Sequence, residues 1–380
     1  MPTHKLLSFP ITNYRELITS LTPFTQYKIP FISPPCGIIL TMDFKIYDQF
    51  PQELKQQWNE LLTRSICHVP FLRFEYLQNW WQTLGGGEWP QDSLLVLIAA
   101  WQGDELVGIA PLFHSKHQDR SSLLFLGSIE ISDYLSLIVA PENLESFTSA
   151  LFDFLKDSQE FPDWQVLDLY NIFASLPLIP VLEKEAELRG WQTVTVDTDH
   201  APGITLPGDW ETYLSELSKK QRHEIRRKIR RLEEANETSR WYIVEDEDTL
   251  DDEINAFLKL MADDPIKDTF LSPEMSVTMA GTMKTAFQEG FLQLSFLEIN
   301  GQKAAGYLNF DYLNRIWVYN SGINRDFMSY SAGWVLLGYL LQWANENKRE
   351  TFDFMRGDED YKYRFGAVDQ MVKRVTITRS

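Results

Sequence analysis

The chain has 380 residues, which fits two domains at about 150 residues each, and its 24 Phe, 15 Tyr and 12 Trp exclude a disordered polypeptide. A net charge of −19 argues against a surface given over wholly to nucleic acid, and two cysteines, Cys36 and Cys67, supply neither a disulfide framework nor a zinc site. The longest apolar runs, around Leu94–Trp101 and Ala332–Leu340, fall short of the roughly 18 residues of a membrane span, and no signal peptide opens the chain, so a soluble cytoplasmic protein is expected.

Prolines from Pro10 to Pro35 break up residues 1–40, which read as an extended N-terminal extension with at most one short helix. Pro51–Ser65 carries Leu54, Trp58 and Leu61-Leu62 at helical spacing, and a second helix with Tyr76, Trp80 and Trp81 runs to Gly85-Gly86-Gly87. Ser93–Trp101 and Leu106–Phe113 form a hairpin about Gln102-Gly103-Asp104. Strands are predicted at Ser122–Gly127, Tyr134–Val139, Trp164–Tyr170 and Trp191–Val196, and helices at Glu142–Lys156 and Pro180–Arg189. Ser218 and Gln221 have capping-box spacing at the head of a helix through Glu234. Ser272-Pro273-Glu274 opens another helix, which Gly290 ends. Phe291–Ile299 and Ala304–Tyr312 flank Asn300-Gly301, the strongest short hairpin signal. Ile316–Gly322 is a strand, Gly333–Asn347 a helix and Thr351–Met355 a strand.

The two halves share an order. Gly103–Gly108 matches Gly301–Gly306 in length with a glycine at each end, and Leu167-Asp168-Leu169 mirrors Phe352-Asp353-Phe354. The fold class read from this is α/β (α+β): two copies of one unit, 41–203 and 204–380, with mixed sheets flanked by helices.

Three segments can carry chemistry. Along Ser218–Glu234, eight Lys and Arg residues surround the apolar stripe Ile225, Ile229 and Leu232, opposed within the crowded part only by Glu224. Two readings stand: a solvated face paired with acidic stretches such as Glu245–Asp248 and Asp251–Glu253, or a phosphate site in which Arg222 and Arg226 act as two-pronged anion binders. Ser331-Ala332-Gly333 opens a helix after a loop holding Arg325, a junction where backbone N–H groups can approach a pyrophosphate. In Phe352–Gly366, Asp353 alternates with apolar neighbours, Arg356-Gly357 makes a turn, and Lys362 and Arg364 lie among aromatic residues. The six histidines are scattered, and no metal motif is present.

Together these segments resemble the CelD/BcsL-type acyltransferases, a branch of the GNAT superfamily close to the Fem peptidyltransferases. The likeness rests on Leu217–Arg222, Asn300-Gly301 with Ala304–Gly306, Ser331–Gly333 and Phe352–Gly366, supported by Pro70-Phe71, Trp80-Trp81 and Asp133–Leu135. It implies two tandem GNAT-like domains with acetyl-CoA or another acyl-CoA as donor, and a first domain at 41–203 followed by a donor-binding domain at 204–380. Fem enzymes take aminoacyl-tRNA and carry a Phe-Lys-x-x-Phe-Gly-like segment, to which Tyr361–Gly366 is similar; that implies Lys362 as the cation stabilising donor phosphate or the oxyanion. The usual GNAT pyrophosphate loop is absent around Arg325–Gly333.

The mechanism expected is acyl transfer to an amine or hydroxyl of a small molecule or glycan, such as a sugar or cell-envelope precursor. Lys362 and backbone N–H groups near Tyr319 would hold the oxyanion, and Asp353 or Asp311 would be the base. Arg222, Arg226, Arg325, Ser331, Ala332, Gly333 and Arg356 would hold the donor, with no metal. An aminoacyl-tRNA donor, or a scaffold role for the basic helix, are the alternatives.

Overall fold

The computed structural model describes residues 42–379 apart from 158 and 161, so the extension read at 1–40 and Cys36 lie outside the described residues. A first sheet collects β1 (Asp43–Tyr47), β2 (Leu94–Gln102), β3 (Glu105–His117), β4 (Arg120–Phe125), β5 (Ile138–Val139), β6 (Val166–Phe173) and β7 (Gln192–His200). A second holds β8 (Gly203–Thr205), β9 (Ser239–Ile243), β10 (Leu292–Ile299), β11 (Gln302–Tyr312), β12 (Arg315–Ile323) and β13 (Thr351–Asp353), in the order β8-β13-β12-β11-β10-β9. The last strand, β14 (Met371–Thr378), returns to the first sheet, whose order is β1-β2-β3-β4-β6-β14-β7 with β5 beside β3. No element is predicted from sequence at 371–378, because alternation alone does not say which sheet will accept the strand. Both sheets belong to one compact unit.

Each sheet is mixed and has a single parallel pair, β4 with β6 and β12 with β13. Parallel neighbours need a long crossover, and helices supply it: Leu144–Asp157 in the first case, Ala332–Glu346 in the second. The registers correspond. Ser122–Leu124 faces Val166–Asp168 as Arg315–Trp317 faces Thr351–Asp353, so Asp168 and Asp353 hold the same place in two strand–helix–strand units.

The hairpins correspond as well, with one correction. Gln102 pairs with Glu105 and Ile299 with Gln302, so Gly103 stands opposite Asn300 in the comparison and not Gly301. Both Gly103 and Asn300 have positive φ, because the first turn position needs it, and Asn tolerates that region. A second correction concerns Tyr134–Val139, where only Ile138–Val139 pairs as a strand. Leu135 donates instead to the Asn171 carbonyl (2.8 Å), and Asp133 and Tyr134 turn toward the second sheet.

Alternation along β12 divides the core. Ile316 and Val318 pack with Val335, Leu336 and Leu340 beneath the Ala332–Glu346 helix, while Trp317 joins the core of the first sheet. The basic helix, Lys219–Glu233, lies on Ala332–Glu346: Ile225 and Leu232 are buried, and Ile229 reaches Gly338, where an added Cβ would stand 3.1 Å away. Ser218 caps it by accepting from the Gln221 N–H (3.3 Å).

The returning strand also neutralises a buried charge. Arg374 on β14 grips Asp168 with two hydrogen bonds of 2.7 Å, and Thr376 adds one of 3.2 Å. Asp168 is 1% exposed, so the pair cannot be replaced by water. Arg374→Met is expected to cost about 3–5 kcal/mol in urea unfolding, and adding Asp168→Asn to recover part of that loss.

Candidate functional site

A cavity of about 590 Å³ lies against one face of β8, β13 and the start of β12. Alternation puts Thr351 and Asp353, and Arg315 and Trp317, on that face, because Phe352 and Ile316 point into the opposite core, and Gly203, Ile204 and Thr205 of β8 border the cavity at the sheet edge. Cys67, Tyr134, Phe173 and Leu176 of the first half form the facing wall, with Tyr213, Leu217 and Gly366 beside them. Beyond the Trp317–Asp353 pair the two strands part. The Phe354 N–H turns to the Pro202 carbonyl (3.0 Å), Met355 takes a left-handed φ of 59°, and among the described residues no strand lies beside the edge of β12 past Trp317 on this side.

Asp353 is the titratable group that this geometry sets apart. Its Oδ1 accepts from the Tyr134 hydroxyl (2.8 Å) and the Met355 N–H (2.8 Å), and Oδ2 has no hydrogen-bond partner among the described residues. Burial pushes the carboxyl up to about 6, against the two hydrogen bonds and with help from the Asp133 charge. Asp311, the other carboxylate considered as base, is gripped by Arg349 at 2.7 and 2.6 Å and does not line this cavity. Cys67 lines the cavity as a neutral thiol, its pKa raised by burial to about 12.

Two contacts tie this region to the loop before β5. Besides Tyr134 on Asp353, Arg356 forms a salt bridge with Asp133 (2.6 Å) and donates to the carbonyls of Glu130 (2.6 Å) and Ile129 (3.2 Å) and to Asn171 Oδ1 (3.2 Å). Arg356 therefore clamps two chain segments, and the donor-binding role expected of it has no free N–H pair to use. Lys362 is corrected on the same ground. It is 3% exposed, and its ammonium donates to the carbonyls of Arg356 (2.7 Å) and Gly357 (3.0 Å) and meets Glu359 at 2.9 Å. With the Met355 carbonyl at 3.5 Å, four oxygens surround its three hydrogens, so this lysine holds the loop and leaves nothing for a phosphate or an oxyanion.

Tyr319 is on the cavity's face of β12 but outside its lining; its hydroxyl donates to the Ile131 carbonyl (2.8 Å) and its ring packs on Phe71 and Phe310. Arg222 caps the helix Trp210–Glu216 through the Leu214 and Ser215 carbonyls (3.4 and 3.3 Å), and Arg226 pairs with Glu211. The acidic stretches proposed as partners of the basic helix bond elsewhere, Asp251 to Lys284 and Glu253 to Lys303. At the expected pyrophosphate junction Ala332 and Gly333 are buried, Gly333 lies against Ile323, and Ser331 makes no side-chain cap. A short helical turn, Arg325–Tyr330, leads into Ser331 in place of the plain loop expected to hold Arg325.

A second cavity of about 450 Å³ opens at the other end of β12, lined by Arg325, Lys267, Asp264, Ser321, Ile323 and Met328 among others. Lys267 Nζ donates to Asn320 Oδ1 (2.9 Å) and the Ser321 carbonyl (2.5 Å) there, and burial lowers its pKa. Tyr134 is a site residue that the sequence offered only as part of a family match, and Arg315 and Lys267 went unnoticed. The Asp264-Pro265 cap before Lys267 was the available signal; nothing in the sequence marked Arg315. Among the described residues no group of three or more His, Cys, Asp or Glu is placed to hold a metal, and no helix is long and apolar enough to cross a membrane.

Residues 219–363, from the basic helix through β13 to Tyr363, match the family model of the acetyltransferase (GNAT) domain. No curated protein matches the chain. Among solved structures it is similar to FemX, at 10% identity over 84% of this chain and 95% of that one, with a TM-score of 0.60. It is also similar to a conserved protein of unknown function from Bacteroides thetaiotaomicron (10% identity, 89% and 100% covered, TM-score 0.58) and to L-PGS from Bacillus licheniformis (11%, 88% and 94%, 0.51). At such identities the likeness is one of fold.

The raised carboxyl of Asp353 has a stability signature. Between its unfolded pKa of about 4 and its folded value of about 6, the folded state keeps a proton that the unfolded chain releases, so stability falls as pH rises through that window. Asp353→Asn removes the penalty. It is expected to be more stable than the parent by on the order of 2–3 kcal/mol at pH 8, with the gain vanishing near pH 4, in denaturant unfolding at the two pH values.

Proposed function

We propose that the chain is an acyltransferase that moves an acetyl or longer acyl group from acyl-CoA to an amine or hydroxyl of a small-molecule or glycan acceptor. One observation carries this reading: a carboxyl that burial raises to about 6, with one oxygen unengaged among the described residues, at the wall of a cavity beside the parted strands of a domain matching the acetyltransferase model. The acceptor would occupy the cavity of about 590 Å³, and the donor would follow the unpaired edge of β12 with its phosphates toward Arg325. As the acceptor atom bonds to the thioester carbonyl carbon, its proton passes to Asp353 Oδ2. The tetrahedral intermediate then collapses with cleavage of the carbon–sulfur bond, and the proton moves from Asp353 to the departing sulfur. Backbone N–H groups on the β12 edge beside Tyr319 would meet the developing oxyanion, an effect of about 3–4 kcal/mol per well-placed donor. Lys362 and Arg356 act here as positioning residues that hold the loop after Asp353.

With acetyl-CoA as donor, kcat/KM is expected to rise with pH to a plateau above about 6, as Asp353 loses its proton. Asp353→Asn should lower it by roughly 10²–10⁴ and flatten that limb. Turnover in the variant within a factor of a few of the parent would overturn the assignment.

A second reading, with aminoacyl-tRNA as donor, is favoured by the basic helix. Lys219, Lys220, Arg227 and Arg230 are exposed and make no hydrogen bond or ion pair among the described residues. Affinity for a charged tRNA would then fall steeply with salt, with a logarithmic slope of about −0.7 to −0.9 per phosphate neutralised. A tRNA affinity independent of salt between low and physiological ionic strength removes this reading.

A further inference from the structure

Most buried or half-buried cations of this chain are matched. Arg374 has Asp168, Arg356 has Asp133, Arg349 has Asp311 and Arg189 has Glu185 and Asp153. Arg315 differs. It is half-buried at the head of β12 and lines the larger cavity, yet its side chain makes no hydrogen bond or ion pair among the described residues. Its near neighbour Cys67 stays a neutral thiol and offers no counter-charge. Glu216 also lines the cavity but is exposed and stands beyond ion-pair distance from Arg315. The remaining walls include Trp317, Tyr134, Phe173 and Leu176. A ligand that filled this space with neutral atoms alone would strip water from an unpaired guanidinium, which is unfavourable; a ligand bringing an oxyanion would supply the missing partner through a two-pronged contact.

The register fixes where that partner sits relative to the base. Arg315 is opposite Thr351, and Asp353 lies two residues further along the neighbouring strand on the same face. Their backbone positions are about 8 Å apart on standard strand spacings. We infer that the acyl acceptor carries an oxyanion, a carboxylate or a phosphate, which Arg315 holds while the acceptor's nucleophilic atom faces Asp353. This rests on the reading of the cavity as the acceptor chamber, and it adds the class of acceptor: a small molecule with its anionic group a few bonds from its amine or hydroxyl.

Three probes of one shape test it on the full chain: para-(aminomethyl)benzoate, para-(aminomethyl)phenylphosphonate and the neutral para-(aminomethyl)benzamide, with binding measured by calorimetry. At least one of the anions is expected to bind about tenfold or more tightly than the amide, and the tighter of the two names the group preferred. Arg315→Met should bring the anion-to-amide ratio near one, Arg315→Lys should keep part of it, and Asp353→Asn should leave it in place. Equal affinity for anion and amide in the parent chain, a preference that survives Arg315→Met, or no binding of any probe overturns the inference. Acetyl-CoA turnover is read separately. An anion preference that depends on Arg315 without turnover would fault the acyltransferase reading and leave the anion site standing, whereas turnover that depends on Asp353 without the preference would fault this inference alone.

Discussion

Two adjacent residues in the loop before β5 set the geometry of the cavity. Asp133 takes the Arg356 guanidinium, and Tyr134 gives its hydroxyl to Asp353, so one short segment of the first half touches both the last residue of β13 and the turn that follows it. These contacts are short and shielded, which gives them more weight than surface ion pairs of the same length. They fix which oxygen of Asp353 is engaged and which is left over. They also oblige the Tyr134 segment to leave the sheet, which is why only Ile138–Val139 pairs with β3. The irregular loop and the polarised carboxyl have one cause.

Asp168 and Asp353 show how one position in a repeated strand–helix–strand unit takes two electrostatic characters. Both sit third in the parallel pair and both are surrounded by protein. Asp168 has β14 beside it, and Arg374 and Thr376 saturate its oxygens. Asp353 has β8 beside it, only three residues long and without a cation, so its partners are one phenol and one backbone N–H. The first carboxylate serves structure. The second keeps one oxygen without a hydrogen-bond partner among the described residues.

Features set by neighbouring residues were legible in the sequence. The Ser218 and Ser272 caps, the Asn300-Gly301 turn and the long helices at 144–157 and 332–346 follow from side chains within a few positions of one another. Asp353 was legible as a polar residue in an apolar strand, although its rank over Asp311 was not, because Arg349 lies 38 residues from Asp311. Lys362 and Arg356 looked like ligand cations because their types suit phosphates, and their actual partners are mostly backbone carbonyls, which no residue code displays. Arg315 escaped notice for the converse reason. What distinguishes it is an empty neighbourhood, a property of the folded chain and of no motif.

The return of β14 to the first sheet has a consequence for how the molecule is made. During synthesis β6 and β7 leave the ribosome about 200 and 170 residues before the segment that must lie between them. Until Met371–Thr378 emerges, both strands carry bare hydrogen-bonding edges and Asp168 waits without its arginine. The first sheet is thus sealed by a strand made long after its neighbours, and a ribosome that stops before that strand releases a sheet with a slot in it.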